Sequence, residues 1–495
     1  MSGAPPVSGA GPTGGRVLFD VSGLVQWYAY LARPSGVQRV SERILGVPAL
    51  AFHPDVRFVA RAIGSDAFYL VDPAIVAGLT IAEQRRWSIA RLRRLFGQSM
   101  RLSSPARLAR EMRAIHLPYL ALGWTFTDPF WEGWCAGRWP ARSPAPRLLD
   151  PTDRCAALVG LGDFWCHAGH VESLIRLKRR HRARLVHLVH DLAVLDVPGW
   201  SHPYFGRLFA EQFARLAPEV DRWLVTSRHV AGQLERHLSD RRLPTVPPQI
   251  MPMGWPEPVA PATDTLQLDD SVLRKHGLRR NGYILHVGTV EPRKNLGTLL
   301  DALTLLAASP GQAPLPCVLA GRDGWRSQAV RRRLRTDPHL RATVRWIRDA
   351  SDRELSALYR CARVTVLPSF DEGWGLPVQE SLAHGTPCIA SAAGGIPEAG
   401  RDLAQYVRAD SASDLARAIA KFATDDHALQ MARAEIAQRL ERSTLPSWHD
   451  SAATLASLLG LTLASATGGS AARSVSYGTP SARTPTASAP IRATL

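Results

Sequence analysis

The stretch Val364-Thr-Val-Leu-Pro-Ser-Phe-Asp-Glu-Gly-Trp-Gly-Leu-Pro-Val-Gln-Glu-Ser-Leu-Ala-His-Gly-Thr-Pro-Cys-Ile-Ala-Ser391 decides how the chain is read. Its opening run, Val364 to Leu367, is apolar and β-branched and is stopped by Pro368, which predicts a short buried strand. Gly373 and Gly375 bracket a turn. Leu376, Val378, Gln379, Leu382 and Ala383 then recur at helical spacing, and Gly385 and Pro387 end the helix. A second buried strand follows over Cys388 to Ala390. The result is a strand, loop, helix, strand unit whose loop offers backbone N–H groups at a helix N-terminus. Free donors and the helix dipole make such a terminus attractive to phosphate.

Two carboxylates flank that terminus. Glu372 lies in the loop, and Glu380 lies on the helix about 8 Å along its axis at ~1.5 Å per residue. An ionised carboxylate only accepts hydrogen bonds, so acids on either side of an anion site suit two separate polyols. A nucleoside-diphosphate sugar presents that order of groups: sugar hydroxyls, diphosphate, ribose hydroxyls.

A second charged turn lies upstream in Tyr283-Ile-Leu-His-Val-Gly-Thr-Val-Glu-Pro-Arg-Lys-Asn-Leu296. A buried strand ends at Gly288, and Arg293-Lys294-Asn295 is expected to begin a helix with Leu296, Leu299, Leu300 and Leu303 inside. Basic residues there oppose the helix dipole, so they are easier to explain as neutralising a diphosphate than as stabilising the helix. Further upstream, Leu185-Val-His-Leu-Val-His-Asp191 is a buried strand with His190 and Asp191 at its carboxyl end, where open α/β sheets bind ligands. Asp191 is either an orienter of His190 or a turn residue. The first strand, Arg16 to Asp20, leads to Arg33-Pro-Ser-Gly-Val-Gln-Arg-Val40, where Gly36 opens a helix and allows close backbone approach to a ligand.

At 495 residues, with 45% hydrophobic and 21% charged residues, the chain can build two full cores. No apolar run approaches the ~20 residues that span a bilayer. Met1 to Pro12 has neither a basic nor an apolar leader region, so a cytoplasmic location is expected. The net charge of +17 suits an anionic membrane surface, anionic substrates or nucleic acid. Six scattered cysteines, Cys135 and Cys166 among them, indicate reduced core thiols rather than disulfides or zinc. Arg85 to Phe96 reads as a basic helix with Trp87, Ile89, Leu92, Leu95 and Phe96 on one side. It is either a membrane or partner element or a core helix with a solvated basic face. Asp269-Asp270 sits in a polar loop and resembles no metal motif. The segment Trp124 to Trp139 carries no readable motif. Residues 1–14 and those beyond Leu463 have disordered compositions.

The run from Glu372 to Pro387 strongly resembles the signature of retaining glycosyltransferases of the family 4 (group 1) type. The Arg293-Lys294-Asn295 turn, the Gly36-Val-Gln-Arg39 segment and the His190-Asp191 stretch are similar to further motifs of that family, although Ala193-Val194 departs from its pattern. The resemblance implies an α/β fold of GT-B architecture, with two Rossmann-like domains of parallel sheets facing across a cleft. It implies an acceptor domain over 15–245, a proline-dense linker over 246–262, a nucleotide-sugar domain over 263–445 and a helix over 446–462 crossing back to the first domain. It implies catalytic roles for Arg293, Lys294, Glu372 and His190. Gly36, Gly288, Gly373, Trp374, Gly375 and Leu376 would bind substrate, and Glu380 would hold the ribose. Neither a metal nor a cofactor is implied.

The finer details look most like mannosyltransferases that act on lipid-linked oligosaccharides in bacterial polysaccharide assembly. The expected partners are therefore a nucleotide-sugar donor, GDP-mannose first, a lipid-linked or polysaccharide acceptor, and an anionic membrane face. No nucleic acid is expected. The competing readings are a catalytically silent basic module on the same fold, and another GT-B enzyme such as a nucleotide-sugar epimerase.

Overall fold

The computed structural model describes residues 15–104, 106–108, 110–111, 145–165, 169–244, 246–256, 263–308 and 315–464. The readings made of Cys135, Cys166, the Trp124 to Trp139 segment and the two tails lie outside these residues. Through Leu463 the chain forms one compact unit built on two sheets.

The first sheet contains β1 (Arg16–Asp20), β2 (Val56–Arg61), β3 (Phe68–Val71), β4 (Cys155–Gly160), β5 (Arg184–Val189), β6 (Arg222–Val225) and β7 (Gln249–Ile250). They lie side by side in the order β3-β2-β1-β4-β5-β6-β7. Every pair is parallel except β2 with β3, so the expected parallel sheet carries one antiparallel edge strand. β7 falls in the proline-dense stretch read as linker, and it completes the first sheet.

The second sheet is parallel throughout. It contains β8 (Ile284–Val287), β9 (Cys317–Ala320), β10 (Val344–Ile347), β11 (Val364–Leu367), β12 (Cys388–Ser391) and β13 (Gln405–Val407), in the order β10-β9-β8-β11-β12-β13. Helices cover both faces, which is why the central strands read as unbroken apolar runs. All four residues of β11 and all four of β12 are buried.

Each sheet reverses its strand order once, between β1 and β4 in the first and between β8 and β11 in the second. At such a switch point the loops leaving neighbouring strands part to opposite faces and open a crevice. The loop after β8 carries Arg293 and Lys294, and the loop after β11 carries Glu372. Topology alone therefore brings these three residues together.

Local expectations need correction in three places. Arg293 and Lys294 occupy a 3₁₀ turn, Pro292–Lys294, and Asn295, at φ 54°, separates that turn from the helix Leu296–Ala307. Asp269 and Asp270 lie in the helix Thr263–His276, and buried Asp269 binds Arg360 at 2.7 Å rather than sitting in a loop. In the helix Ala82–Ser99 the apolar side is narrower than expected: Leu92 and Phe96 are buried, but Trp87 is 45% exposed. Arg85 turns inward to Glu42 and Arg93 donates to the Tyr28 carbonyl at 2.9 Å, leaving Arg86, Arg91 and Arg94 outside. The residues after β1 form a helix, Ser22–Tyr30, whose Tyr28 is fully buried.

The helix Trp448–Leu458 starts in a capping box between Ser447 and Asp450. Ser451 donates to the Pro252 carbonyl at 2.6 Å, and Ala452, Leu455, Ala456 and Leu459 join the core of the first sheet. This helix is thus part of the first domain's interior. Leu455→Ala is expected to lower stability by about 2–5 kcal/mol through lost contacts and a cavity, measured by denaturant unfolding. A loss below a few tenths of a kcal/mol would contradict this packing.

Candidate active site

Glu372 is 6% exposed and sits between two cations. Its Oε2 accepts from Arg293 at 2.8 Å, while its Oε1 accepts from Lys294 at 2.5 Å and from Ser369 at 2.7 Å. Burial alone would raise its carboxyl, but Arg293, Lys294 and these hydrogen bonds outweigh burial and hold the pKa at about 2. Burial works against the charge of Arg293, yet Glu372, Asp191 and Glu291 together push its pKa up. Glu291 also pairs with Arg293 at 3.2 Å, so each cation of the cluster has a carboxylate partner. A guanidinium has five N–H donors and an ammonium three, so donors remain for an incoming anion.

The helix Leu376–Ala383 begins beside this cluster. Gly375 at its N-cap has φ 112°, a conformation that glycine alone adopts readily, and no side chain caps the first turn. Gly288 lies beneath the cluster, where a Cβ would approach the Lys294 stem to 3.4 Å.

The first domain closes the site from the opposite side. His190 follows β5 directly, and its Nε2 lies 2.8 Å from the Leu161 carbonyl. A carbonyl can only accept, so Nε2 carries the proton and Nδ1 is left as an acceptor. Burial lowers the pKa of His190 although the bond to Leu161 opposes it, which keeps the ring neutral near pH 7. The glycine loop touches this strand end: a Cβ on Gly373 would fall 1.8 Å from the His190 carbonyl oxygen. The Gly373 carbonyl accepts from Thr226 at 3.0 Å and from Ser227 at 2.7 Å. Trp374 and Leu376 pack on the first domain's core, and Leu376 is the nearest neighbour of Gly36.

Glu380 is engaged by both domains. Arg39, from the Gly36–Leu45 helix, pairs with it and also reaches Asp352 at 3.2 Å, while the Tyr359 hydroxyl donates to its other oxygen at 2.8 Å. The structure therefore gathers all the expected site residues at one seam: Arg293, Lys294, Glu372, Gly373 and Gly288 with His190, and Glu380 with Arg39 beside Gly36.

Several seam residues were not foreseen. Asp371 binds His229 at 2.8 Å and Gln233 at 3.2 Å across the domains. Glu398 accepts from the backbone of Arg228 and His229, placing its charge at the N-terminus of the Arg228–Asp240 helix. Asp371 stands inside the deciding stretch and Glu398 just beyond it, but partners more than a hundred residues away leave no local pattern. On the first domain, a small hollow opens at the β1/β4 switch point between Asp20, Gly23, Gln38, Gly162 and Asp163.

Residues 271–440 match the family model described as glycosyl transferases group 1. The domain over these residues is similar to that family. That domain contains the second sheet, the Arg293-Lys294-Glu372 cluster and Glu380. The O-antigen chain mannosyltransferase B of Escherichia coli is 30% identical over 269 residues, which is 53% of this chain and 65% of that protein. The serotype-specific mannosyltransferase WbdA of Escherichia coli is 26% identical over 236 residues, 47% of this chain and 29% of that protein. The chain thus matches less than two thirds of the length of either relative. Among solved structures, HepE from Anabaena in complex with UDP and glucose superposes with a TM-score of 0.53 over 90% of this chain and 100% of its own, at 12% identity. This likeness shows the fold, which is GT-B, with the domain similar to group 1 as its second half.

The pH dependence of the cluster follows from Glu372. Its folded pKa of about 2 lies below its ordinary value of 4.5, so the stability it contributes is present above about 4.5 and lost as pH falls toward 2. Wild type is expected to exceed Glu372→Gln in stability by on the order of 3 kcal/mol at neutral pH. Denaturant titrations should show that gap closing through this window. A gap that stays constant down to about pH 2 would mean that Glu372 is not held ionised by its neighbours.

Proposed function

We propose that this protein is a retaining glycosyltransferase that moves a hexose from a nucleotide sugar to a hydroxyl of a lipid-linked or polysaccharide acceptor. One observation carries the reading: the Arg293-Lys294-Glu372 cluster lies against an uncapped helix start, and Gly373 next to it abuts the backbone of His190 from the opposite domain. Arg293 and Lys294 would take the charge that develops on the departing diphosphate, where fixed cations in a shielded cleft are most effective. Glu372 would hold them in register and accept from sugar hydroxyls together with the amides of Gly373 to Leu376. Glu380 would accept from the ribose, and His190 would reach a hydroxyl of the donor sugar or the acceptor. Mannose, with GDP-mannose as donor, is supported by the sequence resemblance and by the names of the two Escherichia coli relatives. Lys294→Ala and Glu372→Ala are each expected to lower kcat at least 100-fold, the scale of losing one preorganised charge-stabilising group. The check is a radiolabelled transfer assay across a panel of nucleotide sugars. Turnover near wild type in either variant would remove both residues from the reaction.

We also propose that the enzyme works on the face of an anionic membrane. Among the described residues no helix is long and apolar enough to cross one. The helix Ala82–Ser99 instead presents Arg86, Trp87, Arg91 and Arg94 outward, with the Arg91 guanidinium 5.4 Å from the Trp87 ring centre. Cations flanking an amphipathic ring suit the headgroup layer. Replacing Arg86, Arg91 and Arg94 by Gln should weaken sedimentation with phosphatidylglycerol vesicles about tenfold or more at low salt, at roughly 1 kcal/mol per arginine. Unchanged sedimentation would eliminate this surface.

A further inference from the structure

Beside the charged cluster, the seam between the domains is lined by aromatic rings that the chemistry above does not use. The segment that leaves β5 at His190 passes through the short helix Ala193–Asp196 to Trp200 and His202, and Phe205 lies in the first turn of the helix Pro203–Leu216. Trp200 lies parallel to Phe370 of the other domain, with ring centres 6.0 Å apart and planes 6° from parallel. His202 meets Trp325 of the other domain edge-on at 4.7 Å, and Trp165 packs edge-on against Phe205 at 5.7 Å. Trp165, Trp200, His202, Phe205 and Trp325 are each only partly buried. Phe370 is 36% exposed, although Ser369, Asp371 and Glu372 around it are at most 7% exposed. A loop that buries its polar residues and leaves its phenyl ring in water keeps a surface ready for contact. The buried Nε1 of Trp325 has no hydrogen-bond partner among the described residues, so a donor also waits there.

We infer that this aromatic rim is a subsite for the saccharide portion of the acceptor. The inference rests on the transferase reading and extends it to where the growing glycan lies. A pyranose has flat faces of polarised C–H bonds that complement the negative face of an aromatic ring, and a periphery of hydroxyls that needs polar partners. The rim supplies both. His202 and the Trp325 indole are polar at their edges, and the Arg326 guanidinium lies 5.7 Å from the Trp325 ring centre. An acyl or polyprenyl chain would gain nothing from these polar edges, which favours sugar over lipid. Position also favours it: the Phe370 N–H donates to the Arg293 carbonyl at 2.9 Å, and Trp200 lies on the segment that follows His190. A glycan stacked here ends at the cleft.

The test is titration of the full-length protein with α-linked manno-oligosaccharides of two to five residues, read by tryptophan fluorescence and by calorimetry. Wild type should bind the longer oligosaccharides at least tenfold more tightly than mannose. Trp200→Ala and Trp325→Ala should each lose tenfold or more of that affinity, and Trp200→Phe should recover most of it. Thermal melts of each variant establish that it is folded. In transfer assays the two alanine variants should raise KM for the oligosaccharide acceptor far more than they change kcat. Wild type that gains nothing with chain length, or folded alanine variants that bind like wild type, would overturn the inference. So would variants that lose affinity for polyprenyl-phosphate vesicles but not for glycan. Absence of nucleotide-sugar binding by wild type, in contrast, would count against the transferase reading itself, so the two failures are told apart.

Discussion

The ionised carboxylate of Glu372, held out of water between Arg293 and Lys294, is the constraint around which the cleft is arranged. A buried carboxylate is costly unless it is paired and hydrogen-bonded, and this one has both kinds of partner. The arrangement also fixes two long basic side chains that would otherwise lose considerable rotamer freedom on meeting a ligand. Order that is already present in the free protein does not have to be created when substrate arrives. The pairing depends in turn on the reversal of strand order between β8 and β11, because only that neighbouring places the two loops within reach.

Part of the seam is held by backbone groups and small residues. Gly373 approaches the His190 carbonyl more closely than any side chain would allow, and Thr226 and Ser227 bind the carbonyl of the same glycine. Glu398 completes the N-terminus of a helix in the other domain. Contacts of this kind fix geometry without a large apolar interface, which agrees with the polar character usual between domains of one chain.

Much of this was legible in the sequence. The strand over Val364 to Leu367, the helix from Leu376 and the strand from Cys388 follow from periodicity and stop signals. The charged turns stand out because basic residues at Arg293 and Lys294 resist a stabilising explanation. What the sequence hid is what depends on long-range partners. Arg85 and Arg93 look solvated on a helical wheel, but Glu42 and the Tyr28 carbonyl draw them inward. Asp269 looks like a loop residue until Arg360 and Arg280 are brought to it. Arg39 stands in a segment similar to a family motif, yet nothing in its neighbourhood announces Glu380, 341 positions away.

That pair has a bearing on how any affinity of the cleft should be understood. Arg39 and Tyr359 already satisfy both oxygens of Glu380. A newcomer that uses this carboxylate enters an exchange, and the free energy observed is the new contact minus the one surrendered. Asp352, already within 3.2 Å of Arg39, can receive the displaced guanidinium without sending it into water. A ligand that took Glu380 would thereby couple its binding to the setting of the helix that Gly36 opens in the first domain.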